Sequence, residues 1–407
     1  MRSGRTDYGL RYAVKRSASK VGYCSLGVRC GTRAEADLPE GIAHLVEHTI
    51  FKGTRSKSAA RINSYLDRLG GELNAYTTKE EIVLHSTVLK EDIWKACGLL
   101  LDIATSANFP AHEVETEKGV VLDEIISYKD SPSEDIFDCF ESSFFGSHPL
   151  GRLTLGTRES VSSTGPEELR EYYRRCFVPS AMALCIVANE DEAVLEQKAL
   201  KLCEAAFAGI SGEGGFELST PQVHIFSRTE ERDNHEANAV IGALAPSLYE
   251  EKERLTAVLL SNILGGPASN SLLGAELREK HGWVYAVECG YTQYSDAGLM
   301  SISIGCERDN LERCLRTTRR IVDRMCAVPL GEARLKACKK QLLGQLAISS
   351  DSGENQCLSM GKSLLAFGRI APDAETLDAI HSISAEQLRA MAERVFGEGK
   401  TSELIFI

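Results

Sequence analysis

One stretch constrains this chain more than any other. Gly209 to Pro221 reads GISGEGGFELSTP, a crowd of glycine, serine and proline between two strongly patterned halves. Such a segment is read as the linker between domains. The chain has 407 residues, more than the roughly 250–300 at which a single core stops growing. Two domains are therefore predicted, 1–212 and 213–407. Before the break, apolar alternation predicts strands at Val21–Arg29, Leu73–Thr77, Ile82–Leu89 and Met182–Ala188. Helical spacing falls near Ile42–Ile50, Ala59–Leu69, Glu91–Ser106 and Val114–Tyr128. After the break the order recurs: a strand at Ala239–Ala245, a helix at Glu251–Leu264, a glycine loop, strands at Val284–Tyr291 and Leu299–Cys306, then helices at Asn310–Met325 and Glu332–Ile348. Leu89–Ala104 and Cys306–Ile321 each close a strand and open a helix at the same point of their half. That recurrence predicts an internal duplication with α+β layering in each copy.

Composition narrows the function. Lys and Arg number 46 against 58 Asp and Glu, so the net charge is 46 − 58 = −12. An acidic chain has no general attraction for phosphate backbones or anionic lipid, and no nucleic-acid partner is expected. No window approaches the roughly 18 apolar residues of a spanning helix, so no membrane partner is expected either. The basic start, Met1 to Lys20, has no apolar core and reads as a strand from Tyr8 to Val14, so it is not taken as a targeting signal. Thirteen cysteines, none in a C-x-x-C pair, many in apolar company, read as buried thiols of a reducing compartment and predict a cytoplasmic location.

The chemistry sits early. Asp37 and Pro39 announce a helix as cap and first-turn proline, with Ile42, Leu45, Val46 and Ile50 as its apolar positions. On that helix lies His44-Leu45-Val46-Glu47-His48. Histidines at i and i+4 project from one face, near enough to share a small cation through imidazole nitrogens. Glu47 borders the same patch without having to be a ligand. Zinc suits two imidazoles and one carboxylate, with a fourth position left for water. Two carboxylates are offered by VETEKGVVLDEIISY, where Glu117 and Glu124 stand two turns apart on one stripe. Val120, Val121, Leu122, Ile125 and Ile126 are read as that helix's buried surface. One glutamate would bind the metal while the other supports it from behind.

These residues resemble the inverzincins, the zinc peptidases with the inverted motif, among them pitrilysin, insulin-degrading enzyme and the mitochondrial processing peptidases. Gly41 to His48 runs on into Phe51-Lys-Gly-Thr54, as in the family. The family's third ligand, a glutamate, follows roughly seventy-odd residues later, with another glutamate seven before it; Glu124 and Glu117 stand there. Gly70 to Thr77 resembles the family's substrate strand, and His148-Pro-Leu-Gly151 with Gly156 its short motif before the next helix. Tyr172, Tyr173 and Pro179 resemble the lead into the last strand of the first domain, although Ser180 and Ala181 stand where asparagine is usual. Leu277 to Tyr285 resembles the arginine and tyrosine motif, while the loop from Gly265 to Ser271 departs from the pattern at Pro267 and Ser271.

The resemblance implies two similar domains, each a mostly antiparallel sheet covered by helices, together half of a clamshell. It implies one Zn2+ per chain on His44, His48 and Glu124, catalytic roles for Glu47, Glu117, Arg278 and Tyr285, and substrate contacts from Asn74, Ala75, Tyr76, Arg278 and Tyr285. The second domain carries no metal site. The expected activity is that of a metalloendopeptidase on peptides or unstructured segments, and the expected partner a second copy of the chain, so that two chains close around the substrate. The competing expectation is a catalytically silent scaffold, or one subunit of a heterodimeric processing peptidase.

Overall fold

The strands predicted from Val21 to Ala188 and from Ala239 to Cys306 form close to their expected bounds, and Arg2–Arg5, Ser227–Glu230 and Thr401–Phe406 add three that the alternation did not mark. The computed structural model describes residues 1–232 and 236–407. In the first half the strands are β1 (Arg2–Arg5), β2 (Arg11–Arg16), β3 (Val21–Val28), β4 (Glu72–Thr77), β5 (Ile82–Leu89) and β6 (Met182–Ala188). They form one sheet in the order β1-β2-β6-β3-β5-β4, antiparallel at every pairing except the parallel β2·β6. In the second half β7 (Ser227–Glu230), β8 (Glu236–Ala245), β9 (Val284–Gln293), β10 (Gly298–Glu307) and β11 (Thr401–Phe406) form a sheet in the order β7-β11-β8-β10-β9. Only β7·β11 is parallel there. Strand for strand, the second sheet repeats the order and sense of the first, with β1 as the one extra strand. The strand expected at Tyr8–Val14 lies at Arg11–Arg16, because Gly9, with φ of 99°, turns the chain between it and β1.

The helices include α1 (Ile42–Thr49), α2 (Ile93–Ser106), α3 (Ala111–Lys129), α4 (Pro132–Phe145), α5 (Arg308–Ala327) and α6 (Glu332–Asp351), the last two where the spacing predicts them, and α7 (Gly353–Phe367). One compact unit consists of Met1–Ile126, Arg152–Glu217 and Ile348–Ala371; the other of Ser127–Gly151, Leu218–Ala347 and Pro372–Ile407. Each unit thus draws one helix from the other half of the sequence. In the first unit α7 covers the sheet face opposite α1 and α2, packing Cys357, Met360, Leu364 and Leu365 on Ala13, Ala183, Cys185 and Val187. In the second, α4 packs Ile136, Phe140 and Phe144 on Val240, Leu404 and Phe406. That is why β6 is buried along its whole length and β8 nearly so. The sheet positions beneath these helices must be small. A Cβ on Gly27 of β3 would strike Leu365, and one on the matching Gly242 of β8 would strike Phe140.

All thirteen cysteines are free, and all but Cys139 and Cys338 are buried. No helix among the described residues is long and apolar enough to cross a membrane. The Gly209–Pro221 stretch holds no helix or strand.

Candidate metal centre

Helix α1 owes its position to a buried carboxylate. Its N-cap is Gly41, in the left-handed region with φ of 84°, and a Cβ there would lie 2.6 Å from the Cα of Gly156. The exposed N–H groups of the first turn need acceptors. Glu35, fully buried, accepts from Gly41 N–H at 3.0 Å and Ala43 N–H at 3.2 Å. Arg152 donates to the other Glu35 oxygen at 3.4 Å. This corrects the expected cap: Asp37 turns outward to Arg175 at 2.8 Å, and Pro39 lies before the helix. Ile42, Leu45, Val46 and Ile50 are buried as predicted and fix the face that the polar residues must take.

That face carries His44 and His48, whose ring centroids are 4.6 Å apart. Helix α3 brings up the carboxylates. Glu124 Oε2 lies 3.8 Å from His44 Nε2 and 3.5 Å from His48 Nε2. The three ligand atoms fall within 4.8 Å of one another. Ligand atoms at roughly 2.0–2.2 Å around a tetrahedral zinc stand about 3.3–3.6 Å apart; the two Glu124 distances lie in or just above that span, and two imidazoles with a carboxylate are donors that suit zinc. Exposure is graded across the site: the His44 side chain is 9% exposed, His48 22% and Glu124 40%. The grading leaves an open side for a fourth ligand.

Glu117 stands differently. Its Oε2 is 3.3 Å from His48 Nδ1, the ring nitrogen that faces away from Glu124, and its Oε1 is 2.6 Å from Lys52 Nζ. It is buried and supports the ring. The α3 stripe is narrower than predicted: Val121 and Ile125 are buried, but Val120 and Ile126 are nearly half exposed and Leu122 only partly covered. Val120 follows the Glu124 face at i−4 and so shares its open side.

Electrostatics favours the neutral form of the His44 imidazole. Burial, and then the neighbouring His48, lower the His44 pKa to about 3. A neutral imidazole presents a lone pair to a cation. Burial pushes the Glu47 carboxyl above its usual range, while Thr77 and the His48 ring favour the ionised form. Thr77 ends β4, one of the two edge strands of the first sheet, and offers hydrogen bonds to Glu47, so the strand expected to meet substrate runs past that carboxyl. Along β4, Asn74 pairs with His85 and Tyr76 with Val83. Leu73 and Ala75 pack on the core that holds α1, whereas Tyr76 faces His85 and Lys362 on the other side. The expected trio Asn74, Ala75 and Tyr76 therefore divides between two faces.

Arg278 and Tyr285 belong to the second unit. Arg278 lies in the helical turn Gly274–Lys280 with Nε 3.1 Å from Glu279. Tyr285 is 57% exposed on β9 and donates its hydroxyl to Glu307 at 3.2 Å. Sequence reasoning missed Glu35, Thr77 and Lys52. Lys52 stood in plain view within Phe51-Lys-Gly-Thr54.

Residues 11–158 match a family described as insulinase, peptidase family M16, and residues 164–342 match the peptidase M16 inactive domain. The uncharacterized zinc protease YmxG of Bacillus subtilis is 28% identical over 400 residues, covering 98% of this chain and 96% of that protein. An uncharacterized zinc protease of Streptomyces coelicolor is 29% identical over 385 residues, covering 92% of this chain and 82% of the relative. Among solved structures, one titled as a peptidase M16 inactive domain from Pseudomonas fluorescens superposes with a TM-score of 0.91 at 17% identity, covering 100% of this chain and 97% of that one. A protease from Helicobacter pylori gives 0.90 at 17%, with 100% and 99% covered.

Proposed function

The chain belongs to the insulinase family, peptidase family M16, and on that premise we propose that it is a zinc metalloendopeptidase acting on peptides or unstructured segments. The observation that carries the proposal is the position of Glu124, whose carboxylate meets the Nε2 atoms of both histidines while Glu47 stays outside the ligand set. His44, His48 and Glu124 are assigned as the ligands of one zinc per chain. Zinc bound there supplies a Lewis acid that polarises a carbonyl and acidifies water.

The remaining work falls to the chain itself. Glu47 takes a proton from the attacking water and returns it to the departing amine. Glu117 holds the His48 ring. The free edge of β4 pairs with an extended peptide by main-chain hydrogen bonds, which tolerate many sequences while alternate side chains enter flanking pockets. Asn74 and Tyr76 line one flank and Ala75 the other. Arg278 and Tyr285 donate to the oxygen on which charge develops, an interaction worth roughly 3 kcal/mol per donor. We assign the pair to the site of a second copy in a homodimer, in which every chain carries both motifs. Residues 1–212 are proposed as the catalytic domain and 213–407 as its metal-free counterpart.

The scaffold alternative differs in a measurable way. A purified catalytic chain is expected to contain one zinc by elemental analysis and to cut an unfolded polypeptide. A chain with no zinc and no cleavage would favour the scaffold.

A further inference from the structure

The support within the site is one-sided. Nδ1 of His44 is buried and meets no hydrogen-bond partner among the described residues. His48 Nδ1, in contrast, meets Glu117, and Glu117 is gripped in turn by Lys52 at 2.6 Å. The Lys52 side chain is 20% exposed and that of Glu117 10%, so this ion pair is largely out of water. A charge-assisted bond of that length in such surroundings holds geometry that an exposed pair does not.

Lys52 is also well anchored. It sits in the turn that ends α1, its N–H donating to Thr49 O at 3.0 Å. The next residues are tied to the loop ahead of α3: Asn108 N–H donates to Gly53 O at 3.1 Å and Asn108 Nδ2 to Thr54 O at 3.2 Å. The turn bearing Lys52 is thus tied to the loop that leads into the helix bearing Glu117, independently of any metal. A cation at this end of α1 also complements the helix dipole.

We infer that Lys52 is a positioning residue of the metal site: by fixing Glu117 against His48 Nδ1, it sets the imidazole so that Nε2 faces Glu124. The inference rests on the zinc assignment above and goes beyond it. Its direction is diagnostic. Acting only through its field, a lysine near a dication repels the ion, and removing it would tighten zinc binding. Acting by position, its loss weakens binding, as when other partners that orient ligands are removed, by roughly 10–100-fold.

The test is a zinc titration against a chromophoric chelator, on the full-length chain. Lys52→Met, which keeps the aliphatic stem, is expected to bind zinc roughly 10–100-fold more weakly than wild type; Lys52→Gln serves if the methionine variant does not fold. Lys52→Arg should restore binding to within about threefold, since a guanidinium can still reach the carboxylate. In a Glu117→Gln background the Lys52→Met effect should shrink to about twofold or less, because the two side chains act as one unit. Unchanged or tighter binding in Lys52→Met overturns the inference, and so does a loss that persists undiminished in the Glu117→Gln background. A wild-type chain that takes up no zinc removes the underlying assignment, and with it this inference, in the first titration.

Discussion

Replacing Glu47 by glutamine is expected to reduce peptide hydrolysis by roughly 10²–10⁴-fold, the range for losing a positioned general base, while the chain keeps its zinc. The separation of the two effects follows from geometry. Glu124 Oε2 stands between the Nε2 atoms of His44 and His48, and Glu47 belongs to no part of that triangle. Glutamine preserves the volume and polarity of a half-buried side chain beside Thr77, so the α1 face should survive. What disappears is the ability to accept a proton. The check is a paired measurement: zinc per chain by elemental analysis and turnover of an unfolded polypeptide on the same preparation. Loss of zinc together with activity would move Glu47 into the ligand set; full activity would end its assignment as the base.

The second large effect separates the two glutamates of α3. Glu124→Gln should weaken zinc binding by roughly 10²–10³-fold. A complete structural site is worth about 10–16 kcal/mol, so each of several ligands carries some 3–4 kcal/mol. Glu117→Gln should cost only about 10–100-fold, as the loss of a supporting partner does. Both side chains lie on one stripe, two turns apart, and that spacing alone gives no reason to prefer either as ligand; only the family resemblance points to Glu124. Distance decides: Glu117 reaches only Nδ1 of one ring, and Glu124 reaches Nε2 of both. Chelator titrations of the two variants read the difference directly. A reversed ranking would exchange their roles.

Much of this was legible in the sequence because the relevant signals are local. Alternation in VGYCSLGV and MALCIVA marks strands, and the His44-to-His48 spacing places both rings on one helical face. The recurrence of strand and helix across Gly209–Pro221 anticipated two sheets of like order. The reciprocal placement of α4 and α7 was not legible. An amphipathic pattern says that a helix buries one face, and it does not say which sheet receives it. The only trace is glycine at matching positions of β3 and β8, Gly27 and Gly242, and its meaning depends on knowing what lies above. The cap of α1 was misread for a related reason. Asp37 is the usual residue type near the usual place, but Glu35 folds back across Pro39 from a buried position that no propensity encodes. The apolar stripe of α3 is narrower than its composition suggests, because Val120, a turn from Glu124, and Ile126, on another side of the helix, carry no local sign that their faces stay open.

In the proposed function, hydrolysis depends on one zinc held by His44, His48 and Glu124. That dependence is tested most directly by digesting a mixed peptide library, analysed by mass spectrometry, before and after complete removal of metal and again after one equivalent of zinc is returned. Cleavage should vanish on stripping and reappear with zinc. Cleavage that persists in the fully stripped chain would contradict it.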